Sequence, residues 1–129
     1  MPALRYAVIA LAIVAMLWPS APPTALTSLA GSEWRVVEID GTKVSGTLRF
    51  TQSTIRGRAP CNAYFGAFRE HDGGINIAGI NVTRMMCAGR METERAFLEN
   101  LGRARKYRVD GGSLLLIDAD GKAVARLSS

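Results

Sequence analysis

Short segments of alternating apolar and polar residues follow one another through most of the chain, separated by Asp-Gly pairs. In the segment 47–51, Leu48 and Phe50 alternate with polar neighbours, which predicts a strand with one face in water. Because Asp-Gly favours tight turns with positive φ, each pair predicts a hairpin. The pairs begin at Asp40, Asp72, Asp110 and Asp120. The predicted strands are residues 34–39, 47–51, 55–58, 63–69, 75–78, 107–109, 113–117 and 123–127.

The segment 90–103 breaks this two-residue period. Its apolar residues recur at helical spacing, and they are Met91, Phe97, Leu98 and Leu101. Glu92, Glu94 and Glu99 are expected to face solvent, with the first two near the start of the helix, where negative charge complements the dipole. An antiparallel sheet and a single amphipathic helix bury their apolar faces most simply when the sheet curls around the helix. The sequence therefore predicts an α+β domain, a curled antiparallel sheet or half-barrel that partly wraps one main helix.

The first 25 residues have the pattern of an export signal. Arg5 precedes an unbroken apolar run over residues 6–18, and a Pro-rich stretch follows. A helix of that length spans roughly 20 Å, short of the roughly 30 Å hydrocarbon core, which favours a signal peptide over a membrane anchor. We expect cleavage between residues 21 and 30 and one mature domain over 26–129, without a stable membrane span. No cysteine lies near the end of the apolar run, so a lipid anchor is not expected.

Two cysteines, Cys61 and Cys87, lie downstream of this segment. Disulfides persist in oxidising compartments, and a domain of about 100 residues has a small core that a cross-link can support. On the chain-entropy model, closing the loop between them contributes roughly 3.5 kcal/mol to stability. The sequence predicts a structural disulfide in a periplasmic or secreted protein.

The formal net charge is +5, which is a modest excess. One basic cluster follows the predicted helix and comprises Arg103, Arg105, Lys106 and Arg108. An anionic partner is one interpretation of the cluster, and complementation of the carbonyls at the end of the helix is the favoured one. Nucleic acid is not an expected partner, because neither interleaved aromatic residues nor a known motif accompany the charge.

The residue types in the sequence do not favour a catalytic function. A cysteine nucleophile needs a base, and the single histidine, His71, lies in a predicted exposed turn. A disulfide would also occupy both thiols. We expect no catalytic residue.

Metal chemistry is similarly disfavoured. A zinc site built on both cysteines and His71 lacks a fourth ligand. Thioethers near a cysteine suit Cu(I), but flexible core filler is the favoured role for the methionines in this part of the chain. These methionines are Met85, Met86 and Met91. We expect no metal and no cofactor.

Several motifs together resemble the META domain, also called the HslJ-like family. They are Leu-Ala-Gly-Ser-Glu-Trp at 29–34, Pro-Cys-Asn at 60–62 with Phe65 and Gly66 following, Thr-Arg-Met-Met-Cys-Ala at 83–88, and the helical segment 94–101. The resemblance covers residues 29–127. It implies a curled antiparallel sheet around a helix, on exported or lipid-anchored bacterial proteins associated with heat shock, stress response or virulence. It implies no enzymatic activity.

The motif residues are interpreted as structural. Asn62 is expected to cap a turn or satisfy a buried strand end through its amide, and Thr83 to do similar work. The full set comprises Trp34, Asn62, Gly66, Thr83, Arg84, Met85 and Met86. The chain departs from the family at Pro60, where glycine is common, because proline fixes φ and lacks an amide donor.

The expected function is a non-enzymatic one in the bacterial cell envelope, contributing to stress tolerance or envelope integrity by binding a protein or glycan partner as a monomer. Two alternatives stay open. One is a thiol-based redox protein or cryptic enzyme that uses Cys61 and Cys87. The other is an inhibitor or a pilot-like accessory of a secretion machine.

Overall fold

The computed structural model describes residues 28–129. The predicted signal peptide lies outside the described residues. The described part of the chain contains eight strands and one helix in the order β1 (Glu33–Ile39), β2 (Thr42–Phe50), β3 (Thr54–Arg58), β4 (Ala63–His71), β5 (Gly74–Val82), α1 (Met91–Arg103), β6 (Lys106–Asp110), β7 (Ser113–Ile117) and β8 (Ala123–Ser128).

Each of the four Asp-Gly pairs marks a turn between consecutive strands, as predicted, although Asp110 is the last residue of β6 and Gly111 and Gly112 form that turn. The turn between β1 and β2 shows why this dipeptide is used. Asp40 has φ 46° and Gly41 has φ 78°, so both central residues adopt the left-handed conformation that matches the twist of a hairpin.

Each strand pairs antiparallel with the next in sequence, and β8 returns to pair with β1, so the sheet closes into a barrel. The joint between β5 and β6 is the shortest, since only Gly74 and Lys106 lie opposite each other there. Backbone hydrogen bonds from Ile75 N–H to Arg105 O (2.8 Å) and from Tyr107 N–H to Gly73 O (3.2 Å) flank that pair. β2 and β3 share two opposed pairs, and the remaining joints are longer ladders.

The helix packs against β5, β8 and β1, so the curled sheet surrounds it. Phe97 and Leu101 project from α1 and are fully buried, and the Phe97 ring meets Tyr64 of β4 edge-on at 5.6 Å. The remaining core comes from the inward-facing positions of the strands, among them Leu48, Phe50, Ile55, Leu114, Leu116 and Leu127. The predicted α+β fold, a curled antiparallel sheet around one helix, is confirmed.

Two strands extend four or more residues beyond one end of their predicted ranges. β2 begins at Thr42 rather than residue 47, and β5 runs to Val82 rather than stopping at 78. In β5, Ile75 and Ile77 face inward, and Gly79 with φ 63° then interrupts the alternation. A left-handed residue inside a strand is typical of a bulge, which hides the second half of the strand from a strict two-residue pattern.

The partly buried carboxylate of Glu70 holds the first described residues against the barrel. Glu70 in β4 accepts hydrogen bonds from Ser28 Oγ (2.6 Å), Leu29 N–H (2.8 Å) and Tyr107 Oη (3.0 Å). Partial burial disfavours the charged carboxyl, but these donors outweigh it and lower the pKa of Glu70. Leu29 is thereby held in the core.

Candidate functional site

Asn62, in the loop between β3 and β4, is the centre of a buried hydrogen-bond network. Its Nδ2 donates to Glu94 Oε2 (2.6 Å) and to Met85 O (3.0 Å). Its Oδ1 accepts from Thr83 Oγ1 (2.8 Å) and Met85 N–H (2.7 Å). Both amide protons and both lone pairs are therefore used, and the side chain is 1 % exposed.

Glu94, in the first turn of α1, is buried rather than solvent-facing, which makes the prediction for this residue wrong. Its Oε1 accepts from Cys61 N–H (3.0 Å) and Asn62 N–H (2.5 Å). Burial disfavours the charged form, but the hydrogen bonds from Asn62 and Cys61 outweigh that effect and lower the pKa of Glu94. The spacing contained the signal, because Glu94 lies three and seven residues before buried Phe97 and Leu101 and so shares their face.

The two cysteines form the predicted disulfide. Cys61 directly precedes Asn62, and Cys87 lies two residues after Met85, so the covalent bond joins the two segments that the Asn62 amide also joins. We call this set the motif network; it consists of Cys61, Asn62, Thr83, Met85, Cys87 and Glu94. It connects the β3–β4 loop, the segment before α1 and the helix itself.

The other motif residues lie around the barrel. Trp34 is buried and its Nε1 donates to Ser32 Oγ (2.8 Å). Gly66 is buried in β4, where a Cβ would lie 3.1 Å from Ala78 O. Arg84 is exposed.

The methionines before Cys87 do not fill the core as predicted. The side chains of Met85 and Met86 are 50 % and 83 % exposed. The network holds this segment through its backbone, because Asn62 bonds both the N–H and the carbonyl of Met85. The side chains consequently point out.

His71 is exposed as predicted. Its side chain is 92 % exposed, and Nε2 lies 3.2 Å from Asp72 Oδ2 in the β4–β5 turn. Within residues 28–129, no three His, Cys, Asp or Glu side chains are grouped so that they could hold a metal ion.

The most distinctive concave surface borders the motif network. It is a cleft of ≈ 710 Å³ between the first half of β2, the β3–β4 loop and the start of α1. Its cations are Arg35, Lys43, Arg58 and Arg90. Among residues 28–129, none of these four forms an ion pair with a carboxylate. We call this surface the basic cleft.

A second concavity of ≈ 520 Å³ continues the basic cleft and shares Arg35 and Thr47 with it. It adds two cations, Arg49 and Arg56, and one carboxylate, Glu33. Glu33 pairs with Arg49 at 3.2 Å. We call the two concavities together the basic groove; it runs along the outer surface of β1, β2 and β3.

Regular pairing of β2 with β3 ends beside the basic groove. They pair only at Arg49–Arg56 and Phe50–Ile55. Beyond this point the Thr47 side chain bridges the strands, since its Oγ1 accepts from Arg58 N–H (3.0 Å). Gly57 makes this approach possible, because a Cβ there would lie 2.0 Å from Thr47 O.

The motif network holds two parts of the wall of the basic cleft together. Cys61 and Pro60 form part of that wall, and Arg90 and Thr93 from the start of α1 form another part. Glu94 joins the two, since it belongs to α1 and accepts hydrogen bonds from the β3–β4 loop. The hydrogen bonds that satisfy buried groups in the network therefore also set the width of the cleft.

The basic cluster singled out in the sequence lies elsewhere. Arg105 Nη1 donates to Gly102 O (2.9 Å) and Ala104 O (2.8 Å), the carbonyls at the end of α1. This agrees with the favoured interpretation of that cluster. The groove cations were missed because they are scattered through β1, β2, β3 and the start of α1, and only the pairing of the strands brings them together.

The fold and the site define a class of protein: a small eight-stranded antiparallel barrel around one helix, with a disulfide-linked motif network at one end of that helix. The chain matches the META domain over residues 27–129 and belongs to that family. No curated protein matches it.

Solved structures share the fold. A protein from Burkholderia xenovorans, determined by NMR, is similar with a TM-score of 0.63 and 20 % identity, over 86 % of this chain and 95 % of that one. A DUF4847 family protein from Bacteroides vulgatus has a TM-score of 0.61 and 18 % identity, over 78 % and 93 % of the two chains. At these identities the likeness concerns the fold alone.

No helix among residues 28–129 has the length and apolar character needed to cross a bilayer.

Proposed function

We propose that this META-domain protein is exported to the bacterial cell envelope and acts there without catalysis, by binding a partner that contributes to envelope integrity or stress tolerance. The observation that carries the proposal is the basic groove. A concave surface with unpaired cations is suited to binding a charged partner. The disulfide supports the compartment, because such bonds persist where the surroundings are oxidising.

The redox or enzymatic alternative is less well supported by the geometry. Cys61 is 5 % exposed and bonded to Cys87, so a nucleophilic thiolate would require reduction of a largely buried bond. The secretion-accessory alternative predicts a protein partner. Capture of a component of a secretion machine in the experiment below would support it.

The proposed test is affinity capture from a bacterial envelope extract with the mature chain, residues 26–129, on the support. The groove variant Arg35→Ser/Arg58→Ser is compared with Arg69→Ser/Arg95→Ser, which removes the same charge from exposed positions outside the groove. We expect a retained glycan or protein that the groove variant loses and the control variant keeps. Equal retention by both variants would contradict a role for the groove.

Export is tested separately by expressing the full chain with its own N-terminus and measuring the mass of the product from the periplasm or medium by mass spectrometry. Cleavage between residues 21 and 30 and a mass two daltons below the reduced form are the expected results. A cytosolic, uncleaved chain with two free thiols would contradict the proposed compartment.

The same captured material distinguishes binding from redox chemistry. Under the proposal, the Cys61→Ser/Cys87→Ser variant is less stable but still retains the partner once refolded. Loss of a thiol-dependent activity by a variant that stays folded would favour the thiol-based alternative.

A further inference from the structure

We propose that the ligand of the basic groove is a saccharide chain that carries successive anionic groups, either phosphates or carboxylates. This inference rests on the proposed function, since it names the chemistry of the partner at the same surface. Among the side chains that line the groove, six are cations and one, Glu33, is a carboxylate, which already pairs with Arg49.

Two of the cations are placed so that an anion between them is favourable. Arg49 and Arg56 lie directly opposite each other on β2 and β3. Like charges at opposed positions destabilise a sheet, and Glu33 reaches only Arg49. An anionic group bound beside Arg56 would relieve the repulsion, and the planar guanidinium suits bidentate contact with phosphate or carboxylate.

The cations are spaced for a chain rather than for one isolated ion. Arg56 and Arg58 are two residues apart on β3, so their side chains leave the same face about 6.6 Å apart. Arg35 lies opposite Thr47 on the neighbouring strands, and Lys43 and Arg90 line the same cleft. A ligand with anionic groups at intervals can contact several of these positions at once.

The uncharged side chains of the basic cleft fit a sugar. Ser45, Thr47 and Thr93 line it among the cations. Thr47 Oγ1 accepts a hydrogen bond from Arg58 N–H, so its own proton is available to a ligand oxygen. Hydroxyls of this kind can exchange hydrogen bonds with sugar hydroxyls while the cations neutralise the charged groups.

The groove fits the two other large polyanions less well. Single-stranded nucleic acids are bound on exposed aromatic rings, and the one aromatic residue that lines the groove, Trp34, is 6 % exposed. A lipid surface is flat and best met by a protruding patch, whereas these cations line a depression that continues over ≈ 710 Å³ and ≈ 520 Å³.

The test measures binding of the mature chain to four defined probes by isothermal titration calorimetry at low and at moderate salt. They are an oligogalacturonate, a phosphorylated dextran, a neutral dextran of the same length and a single-stranded oligothymidylate. We expect at least one of the first two to bind, with an affinity that falls as salt rises. Comparing the affinities of the oligogalacturonate and the phosphorylated dextran shows whether carboxylate or phosphate is preferred.

Matched variants locate the site. Arg35→Ser/Arg58→Ser is expected to weaken binding of the preferred probe at least tenfold, and Arg69→Ser/Arg95→Ser to change it less than twofold. All four arginines are exposed, so the urea midpoints of the two variants should match that of the wild type.

Several results would overturn the proposal. They are equal binding of neutral and charged dextran, equal weakening by both double variants, tighter binding of oligothymidylate than of either charged saccharide, and no binding of either charged saccharide at low salt. If a groove-dependent protein is still captured from the envelope extract in the last case, the proposed function stands and only the ligand class is wrong.

Discussion

Asn62 Nδ2 donates a hydrogen bond to Glu94 Oε2 at 2.6 Å, and this contact joins the β3–β4 loop to the first turn of α1. The two residues are 32 positions apart and both are almost fully buried. The Asn62 amide uses all of its donors and acceptors, and the Glu94 carboxylate accepts from three donors. Removing either side chain leaves buried polar groups of the other without partners, which is destabilising.

Replacing Asn62 with alanine should therefore be severe. The change leaves Glu94 Oε2 and both backbone groups of Met85 without their partner, and we expect a loss of about 3 kcal/mol in the free energy of unfolding. Urea denaturation at pH 7 measures it. Asn76→Ala is the matched control, because Asn76 is exposed on β5 and its truncation should cost less than about 0.5 kcal/mol. Equal effects of the two variants would contradict the role assigned to the network.

Glu94 should make stability depend on pH in the acid range. Its pKa in the folded state lies below the ordinary value of 4.5, so the charged carboxylate contributes stability above pH 4.5. That contribution is lost as pH falls through the lower, folded pKa. Glu94→Gln should cost about 2 kcal/mol at pH 7, and the difference from wild type should shrink below pH 4.5.

The control for this measurement is Glu92→Gln. Glu92 lies in the same first turn and is exposed, so it shares the interaction with the helix dipole but not the buried hydrogen bonds. A Glu92→Gln curve that parallels wild type is expected. If the Glu94→Gln difference persists unchanged to pH 2, the carboxylate charge is not what stabilises the network.

Reduction of the disulfide should lower the free energy of unfolding without unfolding the barrel. The bond closes a loop of sequence separation 26, for which the chain-entropy model gives about 3.5 kcal/mol. We expect the urea midpoint of the wild type to fall on addition of reductant, and that of Cys61→Ser/Cys87→Ser to be insensitive to it. An unchanged wild-type midpoint would show that the bond adds nothing beyond the hydrogen bonds around it.

Two glycine substitutions should change the free energy of unfolding in opposite directions. Gly57→Ala would place a Cβ 2.0 Å from Thr47 O, so β2 and β3 must move apart, and we expect a loss above about 3 kcal/mol or failure to fold. Gly102→Ala meets nothing within 4 Å and lies in α1, so better helix propensity should stabilise the protein by about 0.5 to 1 kcal/mol. Thermal unfolding of both variants measures the contrast.

Much of the fold could be predicted from local patterns. Asp40-Gly41 and the other Asp-Gly pairs place the turns, and Phe97 and Leu101 place the buried face of the helix. Two features of the fold escape such patterns. The bulge at Gly79 breaks the alternation on which strand prediction depends. The return of β8 to β1 is a long-range pairing that no local pattern contains.

The site could be predicted only in part. The sequence predicts structural roles for Asn62 and Thr83, but it places Glu94, the partner of Asn62, in solvent because Glu94 is charged. A buried charge is favourable only when donors surround it, and the donors come from a loop 32 residues earlier. The groove cations are dispersed in the sequence, so their proximity follows from strand pairing and not from composition.

The short joint between β5 and β6 has a consequence for motion. Loss of the hydrogen bonds around Gly74 and Lys106 would turn the barrel into an open eight-stranded sheet, while every other strand pairing remained intact. Opening at this position should therefore require less free energy than global unfolding. In native-state hydrogen exchange, we expect the amides of Ile75 and Tyr107 to exchange faster than those of equally buried ladder positions in β4 and β7. Faster exchange there would identify the joint as the place where the ring first opens.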